Sequence, residues 1–202
     1  MHDLGRNEDR LRGTYEFPFE FHHIDSSHPR YVMSYHWHVE YEIMRILQGT
    51  LTVTLDEKSF TAKAGDVIFV NSGVLHSGIP QDCIYQCIVF DMNMFLKFNS
   101  VCTEYMQKIS HQELLIYHHF TEKQPDIQRA VNSLFDSFWQ RKPGYELVVF
   151  GQFYHFFGLV FGNHYYLESL RKTRRDYKRI VQLKQVVEFI EKNYASPITL
   201  QE

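Results

Sequence analysis

The chain has 202 residues, 44% of them hydrophobic and 22% charged, which is enough for one domain or one domain with an appendage and too little for a large multidomain enzyme. Its formal net charge of -3 excludes the basic footprint that phosphate-backbone binding leaves, so if the chain serves DNA, another segment must touch it. Aromatic residues reach 16%, with 17 Phe and 13 Tyr, a balance that favours strands and large packed interfaces over a polar helical bundle.

In chain order, Met1 to Gly13 alternates charges and has no apolar core of the kind an export leader carries. From Thr14 to Phe90 the dominant period is two: Tyr15, Phe17, Phe19 and Phe21 share one parity, and Leu51, Val53 and Leu55 form another short run. Turn signals recur at Gln48-Gly49, Asp56-Glu57-Lys58, Gly65-Asp66 and Asn71-Ser72-Gly73. Short strands at this spacing predict a sandwich or barrel. Pro18 cannot donate to a ladder, so the first strand is expected at an edge, and Ile84 to Phe90 reads as a further buried strand.

Beyond Asp91 the period lengthens. Pro125 opens a stretch in which Ile127, Val131, Leu134, Phe135 and Phe138 recur at three and four, an amphipathic helix ending near Lys142-Pro143-Gly144. A second helix, Tyr145 to about Tyr166, is apolar nearly all round through Leu147, Val148, Phe150, Phe153, Phe157, Val160 and Phe161. Two readings stay open for it, a two-helix dimer interface and burial within the monomer. The longest apolar run, Leu147 to Phe161, is too short to span a bilayer and contains Gln152 and His155. Cys83, Cys87 and Cys102 are odd in number, and the first two would lie about 13 Å apart in an extended strand. No disulfide framework is expected, and a reducing cytoplasm is the default location.

Arg171 to Arg179 is a basic run read as a solvated linker, followed by a helical stripe of Ile180, Leu183, Val187, Ile190 and Tyr194. Thr199-Leu200-Gln201-Glu202 then has the form of a capping box at the start of another helix. The chain is therefore expected to be part of a longer protein.

The chemistry concentrates in two stretches. His36 and His38 stand two residues apart, on one face of a strand, and Glu42 keeps their parity. The run from Gly65 to His76 supplies a third imidazole on a later strand. Three imidazoles and a carboxylate converging in a small barrel suit a divalent Zn, Ni, Mn or Fe centre with open positions. They equally suit a barrel-mouth cluster hydrogen-bonding an organic ligand. Trp37 and Tyr41 fall on the opposite face and are expected in the core. Asp66 is expected to fix its turn, and the pairs His22-His23 and His118-His119 to be surface or satisfied histidines.

The spacing of His36, His38, Glu42 and Gly49 is similar to the first cupin motif, and Gly65, Gly73 and His76 are similar to the second, in which Asn71 stands where proline is usual and Pro80 where asparagine is usual. With the helices, the basic run and the segment Ile180 to Glu202, the whole chain resembles an AraC/XylS-family transcription regulator. That resemblance implies a mainly β fold with C-terminal helices: a cupin-like double-stranded β-helix (jelly-roll) barrel with an N-terminal arm over residues 1–92, followed by an α-helical dimerisation segment over 93–170. The linker at 171–179 and the start of a helix-turn-helix DNA-binding domain at 180–202 would complete the layout. It further implies a homodimeric, non-enzymatic sensor of a small-molecule effector, a sugar by analogy, with His36, His38, Glu42 and His76 as ligand-binding and metal residues and with DNA bound through a missing C-terminal domain. The competing expectation is a metal-dependent cupin enzyme, a dioxygenase or sugar isomerase, built on the same four residues.

Overall fold

The structure is a computed structural model that describes residues 6–7, 12–97, 101–169, 182 and 186. Its strands are β1 (Arg6–Asn7), β2 (Phe19–Ile24), β3 (Met33–Trp37), β4 (Tyr41–Leu55), β5 (Lys58–Lys63), β6 (Val67–Val70) and β7 (His76–Phe90). A 3-10 turn at Met92–Leu96 leads to α1 (Thr103–Ser110), β8 (Leu114–Ile116), β9 (His119–Phe120), α2 (Pro125–Gln140), α3 (Tyr145–Gly162) and β10 (Tyr166–Glu168). Apart from the parallel pair β1–β3, all pairings are antiparallel. The protein is thus mainly β with C-terminal helices, and the later segment also contributes strands: β9 joins the main sheet through β6, and β8 pairs with β10.

The frame is the long ladder between β4 and β7. Glu42 pairs with Val89 at one end and Leu55 with His76 at the other. A flat ladder would hold those ends about 43 Å apart, at ~3.3 Å per residue. Instead Glu42 Oε2 lies 3.3 Å from His76 Nε2, so the ribbon is folded back on itself. The bend is built from two compensating irregularities at mid-ladder, where the register shifts between Ile46 and Gln48 and shifts back between Gln48 and Thr50. Each extra residue reverses the side-chain parity of its strand. Hence Glu42, Met44 and Ile46 face inward before the bend on β4 and Leu51, Val53 and Leu55 after it. On β7, His76 is inward before the bend and Cys83, Tyr85 and Cys87 after it. Gly49 sits in this bend with φ +67°, and a Cβ there would run into the carbonyl oxygens of Asp82 and Gln81. Glycine is required on both counts.

The sheet has two covered faces, which is why β6 reads as an unbroken apolar run. The inner face carries the Met44, Ile46, Leu51, Val53 and Tyr85 core. The outer face, with Phe19, Tyr41, Ile43, Phe69 and Phe90, packs under α2 and α3. Phe153 and Phe157 of α3 are fully buried in that second core, with Phe153 ring centroids 4.6 Å from Phe90 and 5.1 Å from Phe19. Of the two readings open for the aromatic helix, burial within the monomer holds for this stripe. One polar crosslink interrupts the aromatic layer. Arg45, only 8% exposed, donates to Gln86 Oε1 (2.8 Å), to Asp136 Oδ1 (2.8 Å) and to Asn132 Oδ1 (3.1 Å), tying β4 and β7 to α2.

Two sequence expectations need adjustment. The strand of the Tyr15-to-Phe21 run, β2, starts at Phe19, not near Tyr15, because the Phe17 carbonyl accepts from both Thr14 N and Phe19 N and turns the chain there. Among the described residues the strand is an edge, as Pro18 foretold: its pairing is with β7. The second helix ends at Gly162, where His164 takes φ 56° and the chain enters β10. The basic run, the following helical stripe and the capping box lie outside the described residues, apart from Gln182 and Val186, which are helical and exposed.

Replacing Gly49 with Val should therefore destabilise the fold by more than about 2 kcal/mol, the range for strain at a special backbone site, and should separate Glu42 from His76. Chemical denaturation measures the first effect, and loss of divalent-ion binding the second. Unchanged stability would mean that the bend does not depend on this glycine.

Candidate metal centre

Four side chains predicted from widely spaced positions meet inside the bend. The ligand atoms of His36, His38, Glu42 and His76 all lie within 4.8 Å of one another. His36 and His76 are register partners between β3 and β7, with ring centroids 4.1 Å apart. His38 follows β3 directly and its ring centroid is 5.0 Å from that of His76. Glu42 enters from the start of β4. The loops carrying the two motifs are stitched together: Gly73 N donates to His38 O (2.9 Å) and Ser72 Oγ to Val39 O. Asn71, in the place of the usual proline, exchanges both amide ends with the Ile116 backbone, donating to its carbonyl (2.8 Å) and accepting from its N–H (3.1 Å). Pro80 lies where β7 is flanked by β4 on one side, between its pairings with β3 and β2, so its missing N–H is tolerated.

The hydrogen bonds fix the tautomers. Each imidazole Nδ1 faces a backbone carbonyl: His36 that of Ser34 (2.9 Å), His38 that of Glu40 (3.1 Å) and His76 that of Val74 (2.9 Å). A carbonyl only accepts, so Nδ1 carries the proton and the Nε2 lone pair is left for the centre. This is the outer-sphere arrangement that orients histidine ligands. His38 Nε2 and His76 Nε2 each lie 3.3 Å from Glu42 Oε2. Two lone pairs facing a carboxylate repel, and the cluster is stable only with positive charge at its middle, either a proton on an imidazole or a metal ion. His76 Nε2 is buried with no hydrogen-bond partner, a deficit of roughly 1–3 kcal/mol unless a cation accepts the lone pair. The donor set of three imidazoles and one carboxylate fits a divalent transition metal.

The electrostatics agree. Burial alone would push the Glu42 carboxyl pKa upward, but positive charge on His38 and His76, whose Nε2 can donate to it only when the ring is protonated, holds it well below the usual carboxylate range. Burial, followed by repulsion from His76, lowers His36 to about 4, so this imidazole is neutral and able to ligate at neutral pH.

The cluster opens onto a cavity of about 350 Å3 whose wall includes His36, His38 and Glu42. Several wall residues escaped the sequence reading. His22, expected to be a surface or satisfied histidine, lies on this wall and faces Glu20 at 3.3 Å. Arg12, His28, Arg30, Tyr85 and Cys87 line it as well. The alternation on β2 of Glu20, His22 and Ile24 against Phe19, Phe21 and His23 was the available signal, but which side faced the cavity depended on the partner β7. The other expectations match their surroundings. His23 contacts Gln86 Nε2 (2.9 Å), His118 Nδ1 lies 2.8 Å from Phe69 O, and His119 bonds Asp66 (2.8 Å). Asp66 also accepts from Lys63 N (3.0 Å) across its turn. Trp37 and Tyr41 are buried, and Tyr41 donates to Ile109 O (2.8 Å) on the helical side.

Residues 18–155 match the AraC-like ligand binding domain. The chain belongs to this family. The chain is also similar, at 25% identity over 173 residues and 83% of its length, to YdeC of Bacillus subtilis, an uncharacterized HTH-type transcriptional regulator, and it spans 58% of that relative. Solved structures of oxalate decarboxylase from Bacillus subtilis, one of them concerned with its Mn(II) centres, overlap 30% of this chain and 18% of theirs at 25% identity, with TM-scores of 0.27 and 0.28. An overlap so small bears on neither fold nor function. Among the described residues, no helix is long and apolar enough to cross a membrane.

If the cluster holds a metal, Glu42→Gln and His76→Ala should each weaken Mn2+ or Ni2+ binding beyond the roughly 10–100-fold that loss of an outer partner brings, while Cys83→Ser, on the same inner face, should not. Isothermal titration after chelator stripping checks this. Equal affinity in all three proteins would rule out the cluster as the binding site.

Proposed function

We propose that this AraC-like domain is the effector-sensing and dimerisation part of a bacterial, cytoplasmic, DNA-binding transcription regulator. The observation that carries the reading is the cavity of about 350 Å3 at the His36, His38, Glu42 and His76 cluster, in a chain whose family is a ligand-binding one and whose relative is named a regulator. In this reading the ribbon closes as a cupin-type barrel over residues 1–92, a divalent Zn, Ni, Mn or Fe ion sits on the four side chains, and residues 93–170 form the dimerisation segment. DNA contact belongs to a part of the regulator outside the described residues, consistent with the acidic balance of this chain.

A sensor requires that the effector bind two arrangements with different free energy. Two elements are placed to register it. β1 lies parallel to β3 with Arg6 opposite His36, so the N-terminal arm runs beside a residue of the cluster. β2 turns His22 and Ile24 to the cavity, while His23 on its other face reaches Gln86 and lies against Trp139 of α2, ring centroids 4.9 Å apart and tilted. Gln86 in turn accepts from Arg45, which holds Asp136 of the same helix. A shift of β2 is therefore felt at both the cavity and α2.

The dimer contact is assigned to the outer face of α3. Leu147 is 79% exposed there, and Gly151, Gly158 and Gly162 have open space where a Cβ would stand, which permits close approach of a second helix. Leu147→Glu should give a folded monomer, whereas Phe153→Asp, in the core, should unfold the chain. Sedimentation with circular dichroism separates these outcomes, and a Leu147→Glu protein that stays dimeric removes α3 from the interface.

Thermal denaturation against divalent metals and small metabolites tests sensing. A true ligand at a hundredfold excess over Kd should add about 2.7 kcal/mol, a rise in Tm of several degrees. The same four residues would also serve a cupin enzyme, and turnover by the Mn2+- or Fe2+-loaded protein, with oxygen consumption or sugar isomerisation, would favour that reading instead.

A further inference from the structure

The loop between β3 and β4 carries a second carboxylate beside the cluster, one that the four-residue ligand set does not use. Glu40 follows His38 by two residues, in a bend held by the second motif through Gly73 N on His38 O and Ser72 Oγ on Val39 O. The bend leaves Val39 46% exposed and turns the Glu40 side chain inward, where 14% of it stays exposed. Glu40 Oε2 is buried with no hydrogen-bond partner and lies 3.8 Å from His38 Nδ1. A buried carboxylate oxygen without a donor is unfavourable. A charge-assisted bond spans ~2.8 Å, so a shift of about 1 Å would close this one. The Nδ1 proton now goes to the backbone carbonyl of Glu40 (3.1 Å), so a single residue offers His38 two acceptors, of which the carboxylate is the stronger. His36 and His76 differ: their Nδ1 atoms face the carbonyls of Ser34 and Val74, and among the described residues neither has a carboxylate at ion-pair distance.

Charge points the same way. His38 lies between Glu40 at Nδ1 and Glu42, 3.3 Å from Nε2. Three neutral imidazoles and Glu42 alone would leave a divalent ion with one uncompensated positive charge in a buried site, and Glu40 cancels it. We propose that Glu40 is a positioning residue of the metal centre, whose carboxylate takes the Nδ1–H of His38 when the cluster holds an ion and thereby fixes that ring and strengthens it as a ligand. This rests on the reading of His36, His38, Glu42 and His76 as a metal site. With a cation at Nε2 the His38 ring gives up electron density, and its Nδ1–H becomes a stronger donor that favours the carboxylate over the carbonyl. Glu40 is outside the group whose ligand atoms converge, so it acts through His38.

The test strips the full chain with chelator and titrates it with Zn2+ and Mn2+ by competition calorimetry. Glu40→Gln, which keeps the size and removes the charge, should lower the affinity roughly tenfold to a hundredfold. In a His38→Ala background the same change should have no further effect, because the residue it acts through is gone. In the Zn2+-loaded protein, proton NMR should show the Nδ1–H resonance of His38 moving upfield in Glu40→Gln while those of His36 and His76 stay in place. A crystal structure of the unaltered Zn2+-loaded protein, with Glu40 Oε2 within hydrogen-bond reach of His38 Nδ1, decides the matter should a variant fail to fold or to bind. Unchanged affinity in Glu40→Gln, an equal loss with and without His38, an unmoved His38 resonance, or a loaded structure in which Nδ1 still donates to the Glu40 carbonyl would each overturn the role of Glu40 and leave the metal site standing. A folded, unaltered protein that binds neither ion would overturn both this proposal and the reading on which it rests.

Discussion

The antiparallel pairing of β4 with β7, and the bend at its middle, is the constraint on which the rest of the molecule depends. Glu42 and His76 belong to opposite ends of one ladder and become neighbours only because the ribbon turns back at Gly49 and Asp82. The two irregularities cancel in register but reverse parity on each strand in turn, so a single inner face persists on both sides of the bend. Without that reversal, half of each strand would turn its apolar residues outward and the histidine of the second motif would leave the interior.

The inner face then faces an electrostatic requirement. Three imidazoles oriented by backbone carbonyls and one buried carboxylate cannot be packed together as neutral lone pairs and a bare anion. The carbonyls of Ser34, Glu40 and Val74 fix the tautomers whether or not a ligand is present, so the demand for a central cation is set by the backbone.

The outer face has a different character. It is an aromatic layer of Phe19, Phe69, Phe90, Phe153 and Phe156 under two helices, crossed by the Arg45 bridge to Asp136 and Asn132. Because β2, β4 and β7 contribute alternate residues to both faces, the cavity and the helices share the same backbone. Interiors this closely packed transmit a displacement and do not absorb it, which in the proposed sensor would couple a bound molecule to the helical side.

The sequence by itself determined the period of two before Asp91 and of three to four after Pro125, the turn glycines, and the set His36, His38, Glu42 and His76. These are legible because strand and helix periods, turn chemistry and ligand spacing are local properties of the chain. It could not decide whether Phe153 and Phe157 faced a partner or the sheet, since a helix that is apolar nearly all round has no preferred side until something covers it. It also could not show that His22, Arg12 and Arg30 line one cavity, or that Arg45 reaches across to Asp136. Those placements follow from register between strands far apart in the chain and from bulges that reverse parity, and only the tertiary structure fixes either.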